Sequence, residues 1–240
     1  MKLIHGECLE EMAKLESQSV DMILCDLPYG TTACAWDSII PFESLWKEYN
    51  RIAKNDAAMV FTASQPFTSS LVMSNPKNFK VEWIWKKNAG SNFGTLKSQP
   101  MKEHESVVVF SRGKPTYNPI MQERAESGKA RVKTVVNYES KSDHHTMNEK
   151  IASIRPELRY PSSVQLFNRQ RGLHPTQKPV DLMEYLVKTY TNEGDTVLDN
   201  CMGSGTTGVA CKSLNRNFIG IEKDDKYFEI AKNRIERHVQ

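Results

Sequence analysis

The chain has 240 residues, of which 39% are hydrophobic and 25% charged, and a formal net charge of +3. That composition is globular, and it excludes a disordered or fibrous chain. No apolar run approaches the ~18 residues of a membrane span, and the opening residues 1–6 are too short and polar for a signal peptide. Five cysteines without a C-x-x-C pair argue for reduced thiols in a cytoplasmic compartment, against disulfides or zinc.

In chain order, residues 3–7 read as a short strand, followed by a helical stretch with Leu9, Met12 and Ala13 on one face. Residues 20–25 form an apolar run of the kind a parallel strand buried on both faces shows. Asp26-Leu27-Pro28-Tyr29-Gly30 ends it, because proline removes a backbone donor and stops the ladder. A polar loop follows to Ser38. Phe42, Leu45, Trp46, Tyr49, Ile52 and Ala53 repeat at helical spacing, residues 57–62 are another buried strand, and 67–74 a short helix. Residues 81–85 and 106–110 read as two further strands, with Trp83 and Trp85 expected to pack on opposite faces of the first.

From Gly113 to Gly172 no periodicity is sustained. That length of loop is unusual inside a compact domain, so residues 113–172 are read as an inserted recognition region. Between Lys86 and Arg171 there are 16 Lys/Arg against 8 Asp/Glu, or +8, which leaves −5 on the rest of the chain. Such asymmetry suits a polyanion. Arg112, Lys114, Arg124, Lys129, Arg131 and Lys133 are the candidate phosphate contacts, while His144 and His145 read as solvated loop. Order returns at His174-Pro175-Thr176-Gln177-Lys178-Pro179, followed by a helix with Leu182, Leu186 and Tyr190 on one face. Residues 196–199 (strand), 205–214 (helix), 218–222 (strand) and 225–238 (helix) complete the chain. Alternating strands and helices predict a doubly wound α/β fold.

In such a fold ligands bind at the carboxyl ends of the strands. Asp26 and a carbonyl of Leu27 or Pro28 can accept both hydrogens of an exocyclic amine while Tyr29 stacks on the heterocycle, although these residues also make an ordinary turn. Residues 203–208 satisfy G-x-G-x-x-G, and Glu222 ends the next strand, at the distance that suits a ribose diol. That pattern fits a nicotinamide or flavin dinucleotide, but Asp199 before the loop repels a pyrophosphate and suits a cationic sulfonium or ammonium. S-adenosylmethionine, which carries both charges and a ribose, is favoured.

Together these segments resemble the beta class of DNA amino-methyltransferases. Asp26-Leu27-Pro28-Tyr29 is similar to that family's D-P-P-Y catalytic motif, and residues 174–179 to the segment beside the methionine part of the cofactor. Residues 199–207 resemble its D-P-F-x-G-S-G-T-T loop, Gly220-Ile221-Glu222 its ribose-binding strand end, and Gly6-Glu7-Cys8 a turn near the cofactor adenine. The resemblance covers residues 1–112 and 173–240, taken as the catalytic domain, with the sheet in circularly permuted order.

It implies Asp26, Leu27, Pro28 and Tyr29 as the catalytic set. It implies Glu7, Asp26, His174, Thr176, Gln177, Lys178, Asp199, Met202, Gly203, Gly205, Thr206 and Glu222 around S-adenosylmethionine, and no metal. The implied activity is methylation of adenine in double-stranded DNA with base flipping, in a bacterial or virus-infected cell, and a homodimer is compatible with it. Cytosine-N4 or RNA methylation, or an inactive DNA-binding relative, are the alternatives. Leu27 departs from the family's first proline, Asn200-Cys201 from Pro-Phe with loss of an aromatic wall, and Glu7 from aspartate.

Overall fold

The computed structural model describes residues 1–31, 37–128, 157–170, 172–173 and 176–238. It divides into two units, Met1–Asn118 with Ser163–Gln240, and Pro119–Ser162. In chain order the strands of the first unit are β1 Lys2–His5, β2 Val20–Cys25, β3 Ala53–Ala63, β4 Phe79–Lys87 and β5 His104–Phe110. β6 Gln122–Glu123 and β7 Leu158–Arg159 lie in the second unit, and β8 Val164–Phe167, β9 Thr196–Asp199 and β10 Asn217–Glu222 in the first. The helices are α1 Cys8–Met12, α2 Phe42–Ile52, α3 Phe67–Ser74, α4 Val180–Tyr190, α5 Thr206–Ser213 and α6 Asp225–Arg237.

The main sheet has the order β1-β10-β9-β2-β3-β5-β4-β8. β5 pairs antiparallel with both its neighbours and every other pairing is parallel. Alternation along each strand feeds two cores. On β2, Ile23 and Cys25 join one core with α1, α2 and α3, and Met22 and Leu24 join the other with α4, α5 and α6. β3 splits likewise, Met59 and Phe61 from Ala58 and Val60, which is why these strands read as unbroken apolar runs. α2 buries Leu45, Trp46, Tyr49 and Ile52, the stripe that its spacing predicts. α1 is capped by the Glu7 carboxylate, which accepts from the backbone N–H of Leu9 and Glu10 at 2.8 and 3.2 Å.

Three expectations are revised. β8 lies inside the stretch read as an insertion, yet Ile84 to Lys87 of β4 pair with Val164 to Phe167 in the main sheet. Residues 113–118 also go with the first unit, where Asn118 N–H donates to the Thr189 carbonyl at 2.8 Å. Trp83 and Trp85 face the same core, since residues two apart on a strand share a face. Their indole N–H groups donate to Tyr190 Oη (2.8 Å) and the Phe167 carbonyl (2.9 Å).

In the second unit, β6 and β7 form an antiparallel ladder, and Arg124 donates from its backbone N–H to Glu157 O and from Nε to Leu158 O. The Arg112 guanidinium likewise donates to a backbone carbonyl, that of Ala53 at 2.6 Å. Lys129, Arg131, Lys133, His144 and His145 lie outside the described residues. No helix among the described residues is long and apolar enough to cross a membrane.

α5 starts at Gly205, whose φ of +76° is left-handed. A Cβ there would also sit 3.0 Å from Ala231 Cβ and 3.1 Å from Ala231 Cα on α6. Gly205→Ala is therefore expected to cost about 1–3 kcal/mol, combining left-handed strain with crowding of α6. A urea midpoint equal to wild type would show that α6 yields without cost.

Candidate active site

The chain leaves the sheet in opposite directions on either side of the β9–β2 boundary, towards β10 and β1 from one strand and towards β3 from the other. This is a topological switch point, where the crevice outside the strand ends is open for a ligand. Asp199 ends β9, Asp26 directly follows β2, and both line one cavity of about 580 Å³. That volume suits a nucleoside-sized ligand.

Leu27, Pro28, Tyr29, Glu7, Thr176, Gln177, Lys178, Met202, Gly203, Thr206 and Glu222 line the same cavity, so residues from both ends of the chain converge there. Gly205 does not line it. Its left-handed backbone and its contact with α6 account for the glycine instead. His174 lies outside the described residues.

Asp26 is saturated on three sides. Oδ1 accepts from Tyr29 Oη at 2.7 Å and from Thr62 Oγ1, and Oδ2 accepts from Lys178 Nζ at 2.5 Å. The Tyr29 ring stacks on Phe67 with centroids 5.0 Å apart, and Lys178 Nζ lies 5.7 Å from its centroid. Burial of the phenol, reinforced by Asp26, pushes its pKa well above the usual 10, so Tyr29 is a neutral donor here. Leu27 buries its side chain in the core. Asp37 accepts from the N–H groups of Gly30 and Thr31 at 2.8 and 2.9 Å and so fixes the turn after Tyr29.

The glycine loop is pinned by its own acids. Glu222 accepts from Gly203 N–H (2.8 Å) through Oε2 and from Asp224 N–H (2.9 Å) through Oε1. An ionised carboxylate has about four acceptor positions, so capacity remains for a diol. Asn200 accepts from Tyr49 Oη at 2.6 Å, a buried anchor in place of the family's proline. Asp199 accepts from Cys201 N–H at 3.1 Å and from Thr207 Oγ1 at 2.7 Å. Burial raises its carboxyl from 3.8 to about 7, against the lowering effect of these hydrogen bonds and of the neighbouring Cys25 thiol.

The thiols of Cys8, Cys25 and Cys201 gather beneath the loop. Contact with Cys201 and burial raise Cys8, and burial raises Cys25 to about 12, so neither is a thiolate nucleophile at neutral pH. Among the described residues no group of His, Cys, Asp and Glu is arranged to hold a metal.

Trp85, read from the sequence only as a packing residue, also lines the cavity, as do Lys87, Glu105, Arg169 and Gln170, which the sequence did not single out, nor did it single out Thr62, which bonds Asp26. Lys87 ends β4 and Glu105 lies near the start of β5. Because β5 runs antiparallel to β3 and β4, its beginning meets their ends. An acid or base at the margin of an apolar strand was the available signal.

Residues 20–233 match the DNA methylase family, which is most of the chain. The chain belongs to that family. Among its relatives, the Type II methyltransferase M.HpaI of Haemophilus parainfluenzae is 27% identical, across 98% of this chain and 74% of the relative. The DNA adenine methyltransferase YhdJ of Escherichia coli K12 is 28% identical across 98% and 82%. The crystal structure of the M1.HpyAVI–SAM complex shares 25% identity with a TM-score of 0.63, covering 97% of each chain. The cytosine-N4-specific PvuII DNA methyltransferase has a TM-score of 0.69 at 15% identity, covering 99% of this chain and 87% of its own, and shares the fold. In this DNA methylase the Asp26–Tyr29 segment and the loop after β9 thus line one cavity.

With a folded pKa of about 7, Asp199 keeps a proton that the unfolded chain releases near pH 4. Its contribution to stability is full below that pH and is lost as the pH climbs through about 7. Thermal denaturation of wild type and Asp199→Asn is expected to diverge over this window, with wild type losing ground as pH rises. A pH-independent difference would contradict the raised carboxyl.

Proposed function

We propose that this chain is a site-specific DNA methyltransferase that uses S-adenosylmethionine to methylate the exocyclic amino nitrogen of adenine in duplex DNA. The observation that carries this reading is the meeting, in one cavity at the switch point, of an Asp26-Tyr29 motif with a buried, cation-seeking Asp199. The family supports the reaction type, and YhdJ, a relative named for adenine, supports the base. The M1.HpyAVI–SAM complex, which matches nearly the whole chain, supports the cofactor.

The residues fit that cofactor. Asp199 supplies the negative charge that a sulfonium or ammonium needs, Glu222 has acceptor capacity left for a ribose, and Glu7 lines the cavity near both. When bound, S-adenosylmethionine supplies an electrophilic methyl group, which the amine nitrogen takes while the carbon–sulfur electron pair stays on sulfur.

Everything else is done by the chain. Asp26 accepts one N–H of the amine, and a carbonyl of Leu27 or Pro28 the other, which draws the nitrogen lone pair out of the ring. Asp26 also receives the proton that the nitrogen gives up. The face of Tyr29 not covered by Phe67 stacks on the base. These are effects of position and of fixed charge, and no covalent intermediate with the protein is involved. The amine is buried in a duplex, so the target nucleotide is flipped into the cavity. Residues 113–172, with their excess of positive charge, serve target recognition, as phosphate contacts and base contacts require.

Labelled S-adenosylmethionine incubated with unmethylated genomic DNA is expected to yield N6-methyladenine after nucleoside digestion and mass spectrometry. N4-methylcytosine would keep the reaction and change the base, and no product from DNA would overturn the proposal. Asp26→Ala is expected to lower transfer by at least ~10²-fold, the scale on which general acid–base groups act, with cofactor binding largely kept. Unchanged turnover in that variant would remove Asp26 from the mechanism.

A further inference from the structure

Lys178 stands between two acids that are not engaged alike. Its Nζ is 2.5 Å from Asp26 Oδ2 and 3.6 Å from Glu105 Oε2. Glu105 Oε1 is held by Lys87 Nζ at 2.5 Å, whereas Oε2 is buried and accepts no hydrogen bond among the described residues. Lys87 and Lys178 are themselves buried at the ends of their segments. The four side chains make a neutral row, Asp26, Lys178, Glu105 and Lys87, along the cavity wall.

An ionised oxygen without a donor in a protein interior is costly, and native folds rarely leave one without a reason. Burial would raise the Glu105 carboxyl, yet the Lys178 and Lys87 ammoniums outweigh it and hold its pKa below the ordinary value. The same pairing with Asp26 and Glu105 raises Lys178 against the effect of its own burial. Glu105 is therefore an anion with one acceptor position vacant and a cation just beyond bonding distance.

The vacancy matters because Asp26 is nearly full. Tyr29, Thr62 and Lys178 take three of about four acceptor positions on its carboxylate. An amine approaching Asp26 competes with the Lys178 ammonium, and a movement of roughly 1 Å brings that ammonium to hydrogen-bond distance from Glu105 Oε2. We propose that Glu105 is a positioning residue for the transfer: it keeps Lys178 beside Asp26 and takes over the ammonium when the target amine claims Asp26. Freed of its counter-charge, Asp26 is the better acceptor for the proton of the amine. Lys87 keeps Glu105 in place throughout. This inference rests on the methyl-transfer reading above.

Single-turnover transfer to DNA tests it in wild type, Glu105→Gln, Lys178→Gln and the double variant. Glu105→Gln is expected to slow transfer at least ~10-fold while cofactor and DNA dissociation constants stay within about twofold, with Glu105→Asp partly restoring the rate. If Glu105 acts through Lys178, adding Glu105→Gln to Lys178→Gln slows transfer by less than about twofold. A wild-type rate in Glu105→Gln, or the same loss in both backgrounds, overturns the role.

Should Glu105→Gln not fold, the wild-type protein with DNA and S-adenosylhomocysteine decides by structure. Lys178 Nζ is expected within hydrogen-bond distance of Glu105 Oε2, and an ammonium still bound to Asp26 alone overturns the inference. Wild-type protein that methylates no DNA overturns the transfer reading and this role with it. An active wild type with an unaffected Glu105→Gln overturns only the role.

Discussion

The constraint on which this molecule depends is the direction of its strands. Parallel pairing from β1 through β3 sends five strand ends to one edge of the sheet, and the change of direction between β9 and β2 leaves a crevice there. Backbone hydrogen bonding alone thus brings Asp199 and Asp26, 173 positions apart in sequence, to the wall of one cavity. The loops that follow these strands need only turn sharply, which Pro28, Gly203 and Gly205 allow. The chemistry is confined to an edge because the faces of the sheet are fully used by two apolar cores.

Two aspartates of the same intrinsic acidity are put to opposite uses at that edge. Asp26 faces an ammonium and two hydroxyls, and is an acceptor already organised for N–H donors. Asp199 meets a hydroxyl, a backbone N–H and a thiol, in surroundings that penalise charge. Placing both carboxylates in similar surroundings would lose this division of labour.

Much of this was legible in the sequence, for reasons that can be given residue by residue. β2, β3, β9 and β10 announce themselves because burial on both faces demands runs such as Met22-Ile23-Leu24 and Val60-Phe61, and the turns after β2, β3 and β9 carry proline or glycine. The segments that follow β2 and β9 line the cavity. β8 was hidden because Val164-Gln165-Leu166-Phe167 is short, lies among prolines and polar residues, and is strand only through its pairing with β4. Glu105 and Thr62 were hidden for another reason. Glu105 reaches the site through the reversal of β5 between β3 and β4, and Thr62 through the parallel register that sets Cys25 opposite Phe61. The glycine motif carried a third lesson: its members look alike in sequence, yet Gly203 faces the cavity while Gly205 answers to α6.

β1 has one partner in the sheet, and it is β10, with Lys2 opposite Ile219 and His5 opposite Glu222. β2 in turn takes β9 as one of its two neighbours. A ribosome therefore delivers the first strands long before the segments that pair with them. On one side β2 has no partner until residues 196–199 emerge, and β1 none until residues 217–222 do. Such remote pairing makes for slow folding and a long exposure of apolar strand edges. The arrangement that brings distant segments to one cavity is thus also what makes the early strands of the nascent chain dependent on β9 and β10.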